Sequence, residues 1–235
     1  MDEPLVWVRI VHFVASLSVA GTVLFLALLA EPVFRKLDDG GKDPAVVRSW
    51  LAWLEWIGLA LVVLSGAAWL VLKAADMGDV PWQAVFSEDL VPMVLLGTDF
   101  GQDWIARSIL AALLAVALLA ARPGRRFYRP ILIFACFVAS GLVGTLAWAG
   151  HAAATADEFG ILHIASDILH LVAAAAWVGA LIPLALVIGL ALARRDASST
   201  AIAREVVLRF SILGIISVGT IVITGIVKAG RFSAA

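Results

Sequence analysis

The chain has 235 residues, 63% of them hydrophobic and only 15% charged, with a net charge of −1 and a mean hydropathy of +1.02. An average soluble domain is about 45–50% apolar and about 25% charged. One soluble core cannot bury so much apolar surface, so lipid must cover part of it. The near-neutral charge predicts no nucleic-acid partner, and a single cysteine, Cys136, excludes an internal disulfide and any CxxC motif.

The chain opens with MDEPLVW, which lacks the basic n-region of a cleavable signal. Asp2 and Glu3 instead precede the first apolar run, as in an uncleaved helix whose N-terminus faces out. That run, 5–30, carries His12 about two turns below its outer end. A second run covers 50–72. The connection 73–103 is rich in Asp and Glu, contains Met77 and Met93, and is expected to be periplasmic or interfacial. Runs at 104–121 and 128–149 follow, the latter with Cys136 near mid-membrane and the sequence AWAGH at its end. The fifth helix is expected over 163–193 and the sixth over 207–227. Each run is long enough to cross a bilayer, which takes about 20 residues. Alternating ten-residue strands are absent, which excludes a β-barrel. The expected fold is an all-α, polytopic bundle of six membrane-spanning helices in a single membrane domain.

Lys and Arg set the expected orientation. Arg35, Lys36, Lys42 and Arg48 lie around the first connection, Arg122, Arg125, Arg126 and Arg129 around the third, and Arg194, Arg195, Arg204 and Arg209 around the fifth. The fourth connection, 150–167, has none. The positive-inside rule therefore puts three connections in the cytoplasm and both termini in the periplasm, with Arg9, Lys228 and Arg231 against the trend. Trp7, Trp69, Trp104 and Trp148 then fall near outer ends, and Trp50 and Trp53 near an inner end, as an aromatic belt would.

In this frame all four histidines, His12, His151, His163 and His170, lie on the outer side. His163, Asp167 and His170 are spaced i, i+4, i+7, which places them within roughly 60° on one helix face. Trp177 continues that face as a possible floor or outer-shell group. Polar groups at such depth usually face a bundle interior or a wet cavity. Imidazoles at this spacing can share a metal, with the carboxylate as ligand or as orienting group. The plainer reading makes His163 and Asp167 interface residues, His12 a hydrogen-bonded interior group and His151 a helix cap. Met77 and Met93 are apolar filler or transient thioether ligands, and Cys136 is a small packing residue.

LLGTDFGQDWIAR (95–107), AWAGH (147–151), DILHLVAAAAWVGALIPL (167–184) and RFSILGIISVGTIVITGIVKA (209–229) resemble, in order, the motifs of the CopD family of bacterial inner-membrane copper-handling proteins. The resemblance covers the second half of the chain well and the first two helices loosely. It implies copper movement across the cytoplasmic membrane, alongside a periplasmic carrier of the CopC type. Residue by residue it favours His151, Asp167, His170 and Trp177, whereas His12 and His163 rest on placement. Members of the family commonly continue with further membrane helices beyond the Thr-Gly segment, which this chain is expected to lack.

The expected function is reception of copper, Cu⁺ or Cu²⁺, at a periplasm-facing site of His151, His163, His170, His12 and Asp167, followed by its passage inward. Protonated imidazoles would compete with the metal, so binding should weaken below about pH 6.5. Two alternatives remain: a carrier of haem b on a facing histidine pair, and a non-transporting partner that docks a copper chaperone. Walker, HExxH and Ser-His-Asp signatures are missing, so no enzyme activity is expected.

Overall fold

The structure, a computed structural model, describes residues 2–37, 43–86, 89–149 and 158–232. These residues are almost wholly helical and form no strand. Six helices are long and apolar enough to cross a membrane. They are α1 (Glu3–Lys36), α2 (Pro44–Gly78), α4 (Asp99–Ala120), α5 (Tyr128–Trp148), α6 (Leu162–Arg194) and α7 (Ala197–Val227), with a short helix, α3 (Leu90–Gly97), before α4. Helix α7 itself continues to Phe232, and the helix that carries α6 starts at Glu158.

Several helices extend beyond their apolar runs. α1 continues to Lys36 rather than stopping at 30, α2 occupies 44–78 rather than 50–72, and α7 starts ten residues before 207. The added turns are polar, so hydropathy alone stops short of them, while capping chemistry extends the helix. Pro44 sits in the first turn of α2, where a missing N–H costs nothing. Asp196 caps α7, its Oδ1 accepting from the Ser199 N–H at 2.8 Å. The connection 73–103 is correspondingly shorter, since α2 takes its first turns, α3 its middle and α4 its end. Asp99 opens α4 just after Thr98, whose hydroxyl caps it by accepting from the Gly101 N–H.

α1 is the axial helix: 67% of its apolar window is buried, against 22% for α7. It packs on α2, α5 and α6, while α4 packs on α5 and α7 on α6. Two π-helical turns interrupt these spans, Leu26–Ala30 in α1 and Ala175–Gly179 in α6. Each contains the residue four before a proline, Leu28 before Pro32 and Gly179 before Pro183. A proline ring collides with the carbonyl at that position and has no N–H to return to it, so the helix widens locally. At the second π turn, α1 and α6 meet backbone to backbone: a Cβ added at Gly179 would lie 2.2 Å from the Leu17 carbonyl oxygen. Small residues permit such a crossing where lipid supplies no hydrophobic drive for helix association.

The basic ends gather at one end of the bundle. Lys36 of α1 meets Glu205 of α7 at 3.2 Å. Nearby in sequence, Glu31 is 6% exposed and accepts from Arg48 Nε (2.6 Å), Arg48 Nη2 (3.1 Å) and the Tyr128 hydroxyl (2.6 Å). The Arg48 guanidinium lies over the Phe34 ring at 4.9 Å. This joins α1, α2 and α5 through one carboxylate.

Candidate functional site

His12 lies at the opposite end, 1% exposed, on the face of α1 that packs against α2. Its Nδ1 is 3.0 Å from the Ser65 hydroxyl of α2. The Ser65 oxygen donates its one hydrogen to its own helix, at the Leu61 carbonyl. Only a lone pair is left for His12, so the ring carries its proton on Nδ1 and its lone pair on Nε2. Nε2 has no hydrogen-bond partner among the described residues. The ring lines a cavity of about 360 Å³ between α2 and α4, with Leu59, Val62, Gly66, Trp104 and Arg107. A Cβ at Gly66 would stand 3.3 Å from His12 Cε1, so the ring would have to give by a few tenths of an ångström.

His170 repeats the arrangement in α6. Its Nδ1 is 2.9 Å from the Thr224 hydroxyl of α7, which donates to the Thr220 carbonyl at 2.7 Å. Again the hydroxyl hydrogen is committed to its own helix, so the imidazole donates from Nδ1. A histidine fixed through one nitrogen by a defined acceptor is the arrangement by which proteins orient imidazole ligands for metals. A hydroxyl four residues after a carbonyl on the same helix supplies that acceptor in both cases.

The remaining expected residues are distributed as follows. His163 and Asp167 are half-buried on the same side of α6 as His170, and Ser166 approaches the Thr224 carbonyl at 3.5 Å. Trp177 lies within the π turn, 36% exposed, next to Gly214 of α7. The stripe from His170 to Trp177 therefore runs along the α6–α7 seam, whereas His12 faces α2 and the α4 cavity. Among the described residues, no three His, Cys, Asp or Glu side chains come together as a metal-binding group. His151 lies outside the described residues. Met77 and Met93 are 50% and 64% exposed, on α2 and α3.

One tryptophan assigned to the belt, Trp69, is interior instead, and Trp104 is half-buried. Trp69 is 3% exposed, with His12 edge-on at 5.5 Å and the guanidinium carbons of Arg9 and Arg107 at 5.5 and 5.2 Å from its ring. Trp104 donates from Nε1 to the Gly66 carbonyl at 3.0 Å. The Trp69 indole lies inward beside the buried Arg107 guanidinium, to which it offers a polarisable face. Trp7 and Trp148, 65% and 45% exposed, have the exposure an interfacial position requires.

Sequence reasoning passed over Asp103 and Arg107, whose i, i+4 spacing in DFGQDWIAR was the available signal. Arg107 is 3% exposed; it pairs with Asp103 and donates from Nε to the Thr145 hydroxyl at 3.0 Å. Asp99 and Asp103, with Trp148, line two adjoining clefts, one closed by Arg9 and Lys73 and the other by Gln102, Thr145 and Ile164. A vestibule of mixed charge thus stands at the histidine end, Asp99 and Asp103 beside Arg9, Lys73 and Arg107, with Trp148 leading in sequence to His151.

Residues 1–161 match the family model for the copper resistance protein D-like N-terminal domain. The chain belongs to this family. Inner membrane protein YebZ of Escherichia coli (strain K12) is 30% identical over 74% of this chain and 54% of its own length. Copper transport protein CutJ of Bacillus subtilis (strain 168) is 30% identical over 63% of this chain and 26% of its own. Copper resistance protein D of Pseudomonas syringae pv. tomato is 30% identical over 80% of this chain and 57% of its own. The chain thus spans about half the length, or less, of these relatives. No solved structure matches it. The copper-related names in the family support a copper-related function in a multi-pass membrane protein.

Proposed function

We propose that the chain is a bacterial inner-membrane protein that receives copper ions at its histidine-bearing end and passes them across the bilayer. It does so by ligand exchange, without enzymatic chemistry. In this reading both termini and the histidine end face the periplasm, and the arginine-rich end faces the cytoplasm, following the positive-inside rule. The observation that carries the reading is the repeated imidazole lock: His12 is held through Nδ1 by Ser65 and His170 through Nδ1 by Thr224. Neutral imidazole suits copper in either oxidation state. His151, His163 and Asp167 complete the receiving set, with Trp177 beneath it. The exposed thioethers of Met77 and Met93 serve as transient ligands, and a periplasmic copper carrier of the CopC type delivers the ion. The relatives' names, copper transport and copper resistance, support the same cargo.

Copper content and affinity of the purified protein test this, with wild type beside His12→Ala, His163→Ala and His170→Ala. His170→Ala should lose bound copper. Ser65→Ala and Thr224→Val, which keep both imidazoles but remove their anchors, should weaken copper binding about 10–100-fold. Equal copper content in every variant, or a strong Soret band revealing bound haem, would overturn the reading. Uptake into sealed vesicles then separates transport from docking of a carrier.

A further inference from the structure

Helices α1 and α2 run antiparallel in a constant register. His12 meets Ser65, Val19 packs on Gly58, and Glu31 meets Arg48. The same register sets Glu55 of α2 across from Thr22 and Val23 of α1. Glu55 is 4% exposed, and its Oε1 has no hydrogen-bond partner among the described residues. Leu51 and Leu59, one turn either side of it, belong to two separate apolar clusters, so the carboxyl stands at the boundary between them. From α5 comes Cys136, whose Sγ lies 4.0 Å from the Val23 carbonyl oxygen. Both groups therefore stand at the level of Val23, Glu55 by the helix register and Cys136 by its contact with that carbonyl.

Among the described residues, no ion pair accounts for this carboxyl. Arg48 is engaged with Glu31, and Arg107 with Asp103 and Thr145. The Thr22 hydroxyl donates to the Ser18 carbonyl at 2.8 Å. An ionisable group inside a membrane span is costly and is kept where a cation or proton must pass. The level is also informative. With a rise of about 1.5 Å per residue, Thr22 lies roughly 15 Å below His12 and roughly 14 Å above Glu31. The carboxyl and thiol therefore stand near the midpoint between the two ends.

We propose that Glu55 and Cys136 form a mid-membrane cation station for a soft monovalent metal ion, the cuprous ion, with the Val23 carbonyl as a further oxygen donor. It rests on the copper-passage reading above and supplies the inward step that the outer histidines lack. Thiolate is the ligand type that selects the cuprous ion. On binding, a Cu–S bond forms and the Cys136 S–H bond breaks; the thiol proton passes to the ionised Glu55 carboxylate, so that ion, thiolate and neutral carboxyl together carry no net charge.

The test uses the full chain in detergent, titrated with cuprous ion under ascorbate against a chromophoric chelator, together with alkylation of Cys136 by N-ethylmaleimide. Glu55→Gln and Cys136→Ser should each weaken one cuprous equivalent at least tenfold, while His170→Ala keeps it. Cuprous ion should shield Cys136 from alkylation in wild type and not in Glu55→Gln. Unchanged cuprous binding in both variants, or shielding that survives Glu55→Gln, overturns the station and leaves the outer histidine site standing. Loss of copper from the Glu55 and Cys136 variants with full retention in the histidine variants fails the outer reading alone. The near-isosteric Glu55→Gln and Cys136→Ser, checked for an unchanged thermal transition, separate ligand loss from misfolding; should either misfold, Cys136→Ala takes its place and is read in the same way.

Discussion

Gly179→Ala lowers the thermal unfolding midpoint of the detergent-solubilised protein, and Gly189→Ala, on the same helix, raises it. The two substitutions add the same methyl group, and their opposite signs follow from what it meets. At Gly179 the methyl would lie 2.2 Å from the Leu17 carbonyl oxygen and 3.1 Å from the Gly21 Cα. Both are backbone atoms of α1, which cannot swing away as a side chain could, so the α1–α6 crossing must open. Overpacking typically costs about 1–3 kcal/mol, and backbone obstruction places this site at the upper end. At Gly189 nothing stands within 4 Å of the added atom. There the change contributes only helix propensity, about 0.5–1 kcal/mol in favour of alanine. Thermal melts of the two variants check the pair. A neutral Gly179→Ala would mean that the crossing is not close-packed. Because the contact holds α6 against the axial helix, opening it should also loosen the placement of His170 and weaken copper binding.

Glu31→Ala should destabilise the protein by about 3–5 kcal/mol, the range for removing one partner of a buried ion pair. Three donors converge on this carboxylate, two from Arg48 and one from Tyr128, and all three lose their acceptor together. Arg48 keeps 25% of its side-chain exposure, so water recovers part of the loss and the lower end of the range is expected. Tyr128→Phe removes one hydrogen bond to a charged group and should cost less, about 1.5–3 kcal/mol. The combination Glu31→Leu with Arg48→Met should be milder than Glu31→Ala alone, because no charge is left without its partner. Unfolding midpoints across this set check the ordering. A double variant as unstable as Glu31→Ala would show that packing, rather than the stranded guanidinium, sets the cost.

Both variants act at junctions that sequence reading passed over, although the residues that build them were visible. Pro32 and Pro183 each widen the turn before them, but the consequence of the second depends on Gly21 lying across from Gly179, which is a tertiary fact. Glu31 follows the first apolar run and could be taken for a surface acid. Only the approach of Arg48 and Tyr128 makes it a buried keystone of three helices.

The site shows the same division. His163, Asp167, His170 and Trp177 could be placed on one face of a helix from spacing alone, since 3.6 residues per turn leaves little freedom. The chain had no means of stating which neighbour that face meets, and in the fold α7 meets His170 through Thr224. His12 was legible as a polar group in an apolar run, but its partner Ser65 lies 53 residues away on another helix. Trp69 followed the belt rule in sequence and broke it in space, because Arg9, Arg107 and His12 gather around its indole.

By itself the sequence determined that six helices are long and apolar enough to cross a bilayer, and it separated an arginine-rich end from a histidine-bearing end. Lipid cannot hydrogen-bond a backbone or solvate a charge, so length and polarity must be written along the chain. The rotation of each helix about its axis, and hence which hydroxyl locks which imidazole and which groups share a level with Glu55, was decided only by the tertiary structure. Those choices depend on close packing between distant segments, where a single missing Cβ settles how near two backbones can come.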